Sequence, residues 1–237
     1  MLTLVCSHSQ LIRPSKVDNL LYLDSAADGP CSDWIPTGLI HGVTTNSTLV
    51  AKAGATSVSS TVKRILDSGA AEVHAQVLSE ADAEAYQQAT ALASLDPRVR
   101  VKIPFMTSAG RCRATLIRRV RDAGVKVNVT VCTSRAELYA ALLLQPEYLS
   151  LLWCRTRDAG EDPAQAVRAV ATRRALTSTG TRLLIGSIRE PADVTAALDT
   201  PCDIVTVPPA LLEQWIGHPR SMEMARQFAT DAEGLIA

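Results

Sequence analysis

The chain has 237 residues, 47% hydrophobic and 20% charged, with 24 lysines and arginines set against 24 aspartates and glutamates. A formal net charge of zero gives no electrostatic reason to expect nucleic acid or an anionic membrane as partner, and no apolar run approaches the ~20 residues of a membrane span. There is enough apolar material for one large core, and (β/α) barrels of this size fold as one domain.

In chain order, residues 1–19 lack a basic n-region, and the apolar run from Leu2 to Cys6 is too short for a signal-peptide core. They read as an N-terminal extension. Eight β-prone runs follow, at residues 20–25, 41–46, 72–77, 99–104, 126–131, 148–153, 182–187 and 203–208, with starts 21 to 34 positions apart. That interval is the size of a strand-plus-helix unit. Helical spacing marks residues 58–66, which stop at Ser68-Gly69. Ser79 opens a capping-box-like S-x-x-D into a run to Leu95. Residues 114–123 end at Gly124, residues 134–144 stop before Pro146, and Asp162-Pro163 predicts an N-cap and first turn for a helix to Leu176. The basic run Arg111–Arg121 reads as the solvated face of an amphipathic helix. Residues 190–198 form the next helical segment, and residues 219–237 a helical tail. Eight alternations predict an α/β chain folded as a single-domain (β/α)8 TIM barrel over residues 20–218. An open doubly wound sheet is the alternative, but no G-x-G-x-x-G follows any strand.

The six cysteines (6, 31, 112, 132, 154 and 202) form no C-x-x-C pair, and the four histidines (8, 41, 74 and 218) are scattered. Reduced thiols in a cytoplasmic protein are the expected reading, with no metal and no cofactor.

The chemistry is read from strand parity. Opposite the continuous apolar set of each strand stand Tyr22 and Asp24, Thr44 and Asn46, His74 and Gln76, Lys102 beside Arg100, Asn128 and Thr130, and Ser150, with Ser187 ending strand seven. In a closed barrel one face of each strand points at the lumen. A polar group from seven strands belongs there, towards the C-terminal mouth where barrel active sites lie. Taken singly, Thr130 or Ser150 could be a satisfied core hydroxyl, Asn46 a turn residue and His74 packing. Lys102, on a buried strand just before Pro104, could be a snorkelling lysine. It could also be a Schiff-base lysine whose neutral amine is favoured by burial.

Leu21-Tyr22-Leu23-Asp24-Ser25, Gly42-Val43-Thr44-Thr45-Asn46, Val101-Lys102-Ile103-Pro104, Asn128-Val129-Thr130 and Ser187-Ile188-Arg189 resemble, in order, the signature segments of the transaldolase and fructose-6-phosphate aldolase family. The resemblance runs from about Leu20 to the C-terminus. It implies that Lys102 forms the imine with the dihydroxyacetone part of a ketose and that Asp24 is the acid/base of C–C cleavage. It further implies that Gln76 and Thr130 place the catalytic water, and that Thr44, Asn46, Asn128 and Ser150 hold the substrate. Arg155, Ser187 and Arg189 match the phosphate site, although Arg157 is an alternative match to Arg155.

The chain departs from the family at several points. Transaldolases carry glutamate where this chain has Gln76; the aldolases carry glutamine there but a tyrosine at the position of Leu152. Ser47 replaces a proline, and Phe105 lengthens the segment after Pro104. The implied function is transfer of a dihydroxyacetone unit between sugar phosphates by a homo-oligomer. The alternatives are an aldolase releasing dihydroxyacetone, a transaldolase building a longer (for example eight-carbon) sugar phosphate, a non-catalytic sugar-phosphate-binding barrel, and a sugar-phosphate isomerase that forms no imine.

Overall fold

A computed structural model describes residues 20–233 and 235. The expected N-terminal extension, with Cys6 and His8, lies outside the described residues. Eight strands form a closed, wholly parallel barrel in chain order: β1 (Leu20–Asp24), β2 (Ile40–Thr44), β3 (Glu72–Gln76), β4 (Val99–Pro104), β5 (Val127–Cys132), β6 (Tyr148–Leu152), β7 (Arg182–Gly186) and β8 (Ile204–Val207), with β8 pairing back to β1. Around it run α1 (Asp28–Trp34), α2 (Ser47–Lys52), α3 (Val58–Asp67), α4 (Asp82–Ala93), α5 (Ala114–Asp122), α6 (Arg135–Leu142), α7 (Trp153–Asp158), α8 (Pro163–Thr177), α9 (Pro191–Leu198), α10 (Pro209–Ile216) and α11 (Pro219–Asp231).

Strand parity creates two cores. The odd-numbered β4 residues Val99, Val101 and Ile103 face the helix ring and join Val73, Ala75, Val127, Val129, Leu149, Leu183 and Val205 in one large cluster with Val62, Ile65, Leu116, Ile117 and Leu212. A second, small cluster of Tyr22, Tyr148, Leu184 and Ile204 plugs the lumen. Fully burying one such aliphatic side chain contributes about 1.5–3 kcal/mol, so the outer layer carries most of the barrel's stability. The plug keeps the lumen from being a pore.

The helix signals resolve in two ways. Ser134 and Glu137 form a reciprocal capping box on α6, and Asp162 accepts from the Ala164 and Gln165 backbone N–H groups at the start of α8. Ser79, in contrast, does not cap a helix. Its hydroxyl accepts from Ala81 N and donates to Glu84, and α4 begins only at Asp82. The basic run is not a solvated face throughout, because Arg113 is buried at 2% exposure. It donates to Asp82 and to the Ser79 carbonyl, while Arg111 pairs with Asp82, so the two arginines clamp the start of α4. Trp153 opens α7 rather than closing β6.

Candidate active site

The floor of the lumen is built around one carboxylate. Glu72 accepts from the Tyr22 hydroxyl at 2.7 Å, from the Tyr148 hydroxyl at 2.7 and 2.8 Å, and from Arg100 at 2.9 Å. Burial alone would raise the Glu72 pKa, but these donors and the neighbouring His74 ring together hold it well below the usual carboxylate range. Tyr22 comes this close because β2 presents Gly42 beside it. A Cβ on Gly42 would stand 2.6 Å from the Tyr22 ring and 2.9 Å from the Glu72 carbonyl.

One layer higher, pairing register sets Gln76, Lys102 and Asn128 side by side on β3, β4 and β5. Lys102 is 8% exposed, and its Nζ donates to the Thr45 carbonyl at 2.9 Å. Burial lowers its pKa below the ordinary lysine value, only partly opposed by the nearby Asp24 charge. Burial raises Asp24 in turn, against the pull of Lys102 and of the Thr44 hydroxyl, which donates to it at 2.7 Å. Thr44 also shares a 2.7 Å hydrogen bond with Thr206. The two titratable groups are therefore both pushed towards their neutral forms, which suits an amine that attacks and a carboxyl that exchanges protons.

Above them opens a pocket of about 340 Å³, lined by Asp24, Asn46, Gln76, Lys102, Thr130, Ser150, Arg155 and Ser187 among the residues expected from sequence. The remaining three stand elsewhere. Thr44 is fully buried behind Asp24. Asn128 is fully buried beneath the pocket, where its amide accepts from Ser150 Oγ at 2.7 Å and donates to His74 Nδ1 at 2.9 Å. Arg189 is outside the lining and is paired with Asp158 at 2.7 Å. Of the two arginines that could match the family position, Arg155 lines the pocket with no carboxylate at ion-pair distance among the described residues. Arg157 donates to the buried Asp193 at 2.8 Å instead.

Asn46 lies beyond the end of β2, as the N-cap of α2. Its side-chain oxygen accepts from Leu49 N at 3.0 Å, which fixes its rotamer at the rim. Thr206 completes the lining from β8 and shares the lumen parity of Ile204, a parity the sequence of that strand already carries. Two rim residues carry backbone strain. Val131 has φ 62° and Ser187 φ 60°, both in the left-handed region, which is costly for a β-branched side chain. Val131 sits in a bulge, since the β5–β6 register shifts between Val129 and Cys132, and it leaves Thr130 and Val131 both lining the pocket. No sequence signal announces a valine there.

A family model described as transaldolase/fructose-6-phosphate aldolase matches residues 21–236. A probable transaldolase of Dehalococcoides mccartyi is 32% identical over 214 residues, spanning 89% of this chain and 96% of that protein. One from Caulobacter vibrioides is 31% identical over 211 residues, 89% of this chain and 95% of that protein. Among solved structures, mandelate oxidase with (S)-2-phenylpropionate superposes with a TM-score of 0.57 at 13% identity, covering 91% of this chain and 73% of that one. At that identity the likeness shows the barrel fold alone.

Proposed function

This chain belongs to the transaldolase/fructose-6-phosphate aldolase family, and from that premise we propose that it is a transaldolase moving a dihydroxyacetone unit from a ketose phosphate to an aldose phosphate. The observation that carries the reading is Lys102, a buried amine on the pocket wall with its pKa lowered, in the electrostatic field of Asp24.

The reaction follows from these groups. The neutral Lys102 amine adds to the ketose carbonyl, and the carbinolamine hydroxyl leaves as water with a proton from the Asp24 carboxyl, which leaves a protonated imine and an Asp24 carboxylate. Asp24 takes the proton of the hydroxyl on the far carbon of the scissile bond. That C–C bond breaks, the departing fragment becomes an aldehyde, and the bonding pair is stored as an enamine on Lys102. The enamine carbon attacks the acceptor aldehyde, Asp24 returns the proton, and water releases the lysine. Gln76 and Thr130 would hold that water; Gln76 has no basicity, so they position it while Asp24 exchanges the protons. Arg155 and Ser187 would take the phosphate, since guanidinium groups bind phosphate in bidentate fashion. Arg189 would join them by exchanging Asp158 for the ligand.

A second reading, an aldolase that releases free dihydroxyacetone, is favoured by Gln76. It is disfavoured by Leu152, a pocket-lining residue with no hydroxyl. Fructose 6-phosphate labelled with 13C at its first three carbons, mixed with erythrose 4-phosphate, separates the two. Label in a seven-carbon ketose phosphate supports transfer, label in free dihydroxyacetone supports the aldolase, and label in neither product overturns both. The five described cysteines are free thiols, which supports a cytoplasmic setting. The apolar residues Met222, Met224 and Phe228 exposed on α11 support a homo-oligomer.

A further inference from the structure

His74 is a fully buried titratable group in the lumen, and the reaction as derived does not use it. It lies on β3 at 0% exposure, with its ring 4.7 Å from that of Tyr148 and 5.6 Å from that of Tyr22, edge-on to both. Glu72 faces it from its own strand, with Arg100 and Lys102 of β4 nearby, Tyr22 from β1 and Tyr148 from β6. Burial, opposed by Glu72 and helped by Lys102 and Arg100, brings its pKa down to about 4. The ring is therefore neutral at neutral pH.

A neutral imidazole carries one N–H and one bare nitrogen. The Asn128 amide nitrogen can only donate, so the 2.9 Å contact makes His74 Nδ1 the acceptor and leaves the proton on Nε2, which lies 3.5 Å from Glu72 Oε2 without a hydrogen bond to it. That choice propagates upward. With its nitrogen committed to His74, Asn128 offers its oxygen to Ser150, and the Ser150 proton is used on that oxygen at 2.7 Å. What Ser150 then presents to the pocket it lines is a pair of oxygen lone pairs.

We propose that His74 is a positioning residue that fixes the polarity of the His74–Asn128–Ser150 chain, so that Ser150 accepts a hydrogen bond from a hydroxyl of the bound ketose. The opposite tautomer would donate to Asn128, turn the amide over, and point the Ser150 proton at the substrate. Ser150 would then clash with the hydroxyl proton it has to receive. The assignment to a ketose hydroxyl rests on the transaldolase reading; the polarity of the chain does not.

Two measurements test this on the full-length protein. In long-range proton–nitrogen spectra of the 15N-histidine-labelled chain, His74 is identified by the signals lost in His74→Phe. The expected spectrum has a bare Nδ1 and a protonated Nε2, unchanged between pH 8 and pH 6, with Nδ1 displaced in Asn128→Ala. A protonated Nδ1, or titration near the ordinary histidine value, overturns the proposal. In kinetics, His74→Phe keeps the ring but removes the acceptor, and is expected to lower kcat/KM for fructose 6-phosphate about 3- to 10-fold, the value of one neutral hydrogen bond. His74→Asn, whose amide oxygen falls near the place of Nδ1, recovers most of that loss. In a Ser150→Ala background the His74→Phe change has no further effect. An equal loss in that background marks a merely structural role and overturns the proposal. If the wild-type chain carries out neither transfer nor cleavage, the transaldolase reading fails, and the spectrum alone then decides whether His74 sets the polarity of the chain.

Discussion

Glu72 is the group whose removal should cost the fold most. Its side chain is 11% exposed and that of its ion-pair partner Arg100 is 8% exposed, so neither charge is relieved by solvent. Glu72→Gln keeps the shape and removes the charge. Arg100 is then left with Glu147 at 3.6 Å, a carboxylate one-third exposed, as its remaining ion-pair contact among the described residues. Breaking a buried pair by deleting one partner costs about 3–5 kcal/mol, because the other charge stays desolvated. For a domain of this size each kcal/mol is worth about 2–4 °C in Tm, so the drop should be about 6–20 °C. Deleting both charges in Glu72→Gln/Arg100→Met should recover most of the loss, since the cost lies in the orphaned guanidinium rather than in a missing attraction. Urea unfolding followed by circular dichroism measures all four members of the cycle. A Glu72→Gln protein within about 1 kcal/mol of wild type, or a double variant no more stable than the single, would refute the argument.

Three further outcomes follow from the same geometry. Gly42→Ala drives a methyl to 2.6 Å from the Tyr22 ring, and its Tm should fall by the equivalent of about 1–3 kcal/mol of overpacking. His74 titrates at about 4 when folded against an ordinary 6.5, so the unfolded chain binds the extra proton between those values. Stability is whole above pH 6.5 and falls by about 3 kcal/mol as the pH drops to 4. The lowered pKa of Glu72 acts in the same sense, so denaturant midpoints across pH 4–7 should show a steep acid limb that flattens in His74→Phe. Adduct formation on Lys102 should rise with pH with a midpoint below the 10.5 of an ordinary lysine. Asp24→Asn should move that midpoint lower still, because Asp24 favours the charged amine; stopped-flow trapping across pH 6–10 reads both.

The barrel was legible because its strands obey a rule that sequence expresses directly. Val99, Val101 and Ile103 face one layer while Arg100 and Lys102 face the other, and the same alternation repeats around the barrel. What escaped was whatever depends on a local exception or on a distant partner. The six-residue helices α2 and α7 are too short to show a period, so in sequence Asn46 and Trp153 look like strand ends. The bulge at Val131 places a β-branched residue where sequence would call for glycine. In sequence Arg113 reads as solvated charge and Arg189 as a phosphate ligand, because nothing in their neighbourhoods reveals Asp82 or Asp158 waiting across the fold. The polarity of the His74–Asn128–Ser150 chain needs three strands in register before it exists at all.

The most direct test of Lys102 as the imine-forming amine is borohydride reduction of the protein mixed with fructose 6-phosphate, read by intact mass and then by peptide mapping. A stable three-carbon adduct on Lys102, present in wild type and missing from Lys102→Met, is the expected result. A wild-type chain that acquires no mass with any ketose phosphate, or that acquires it on another lysine, would contradict it.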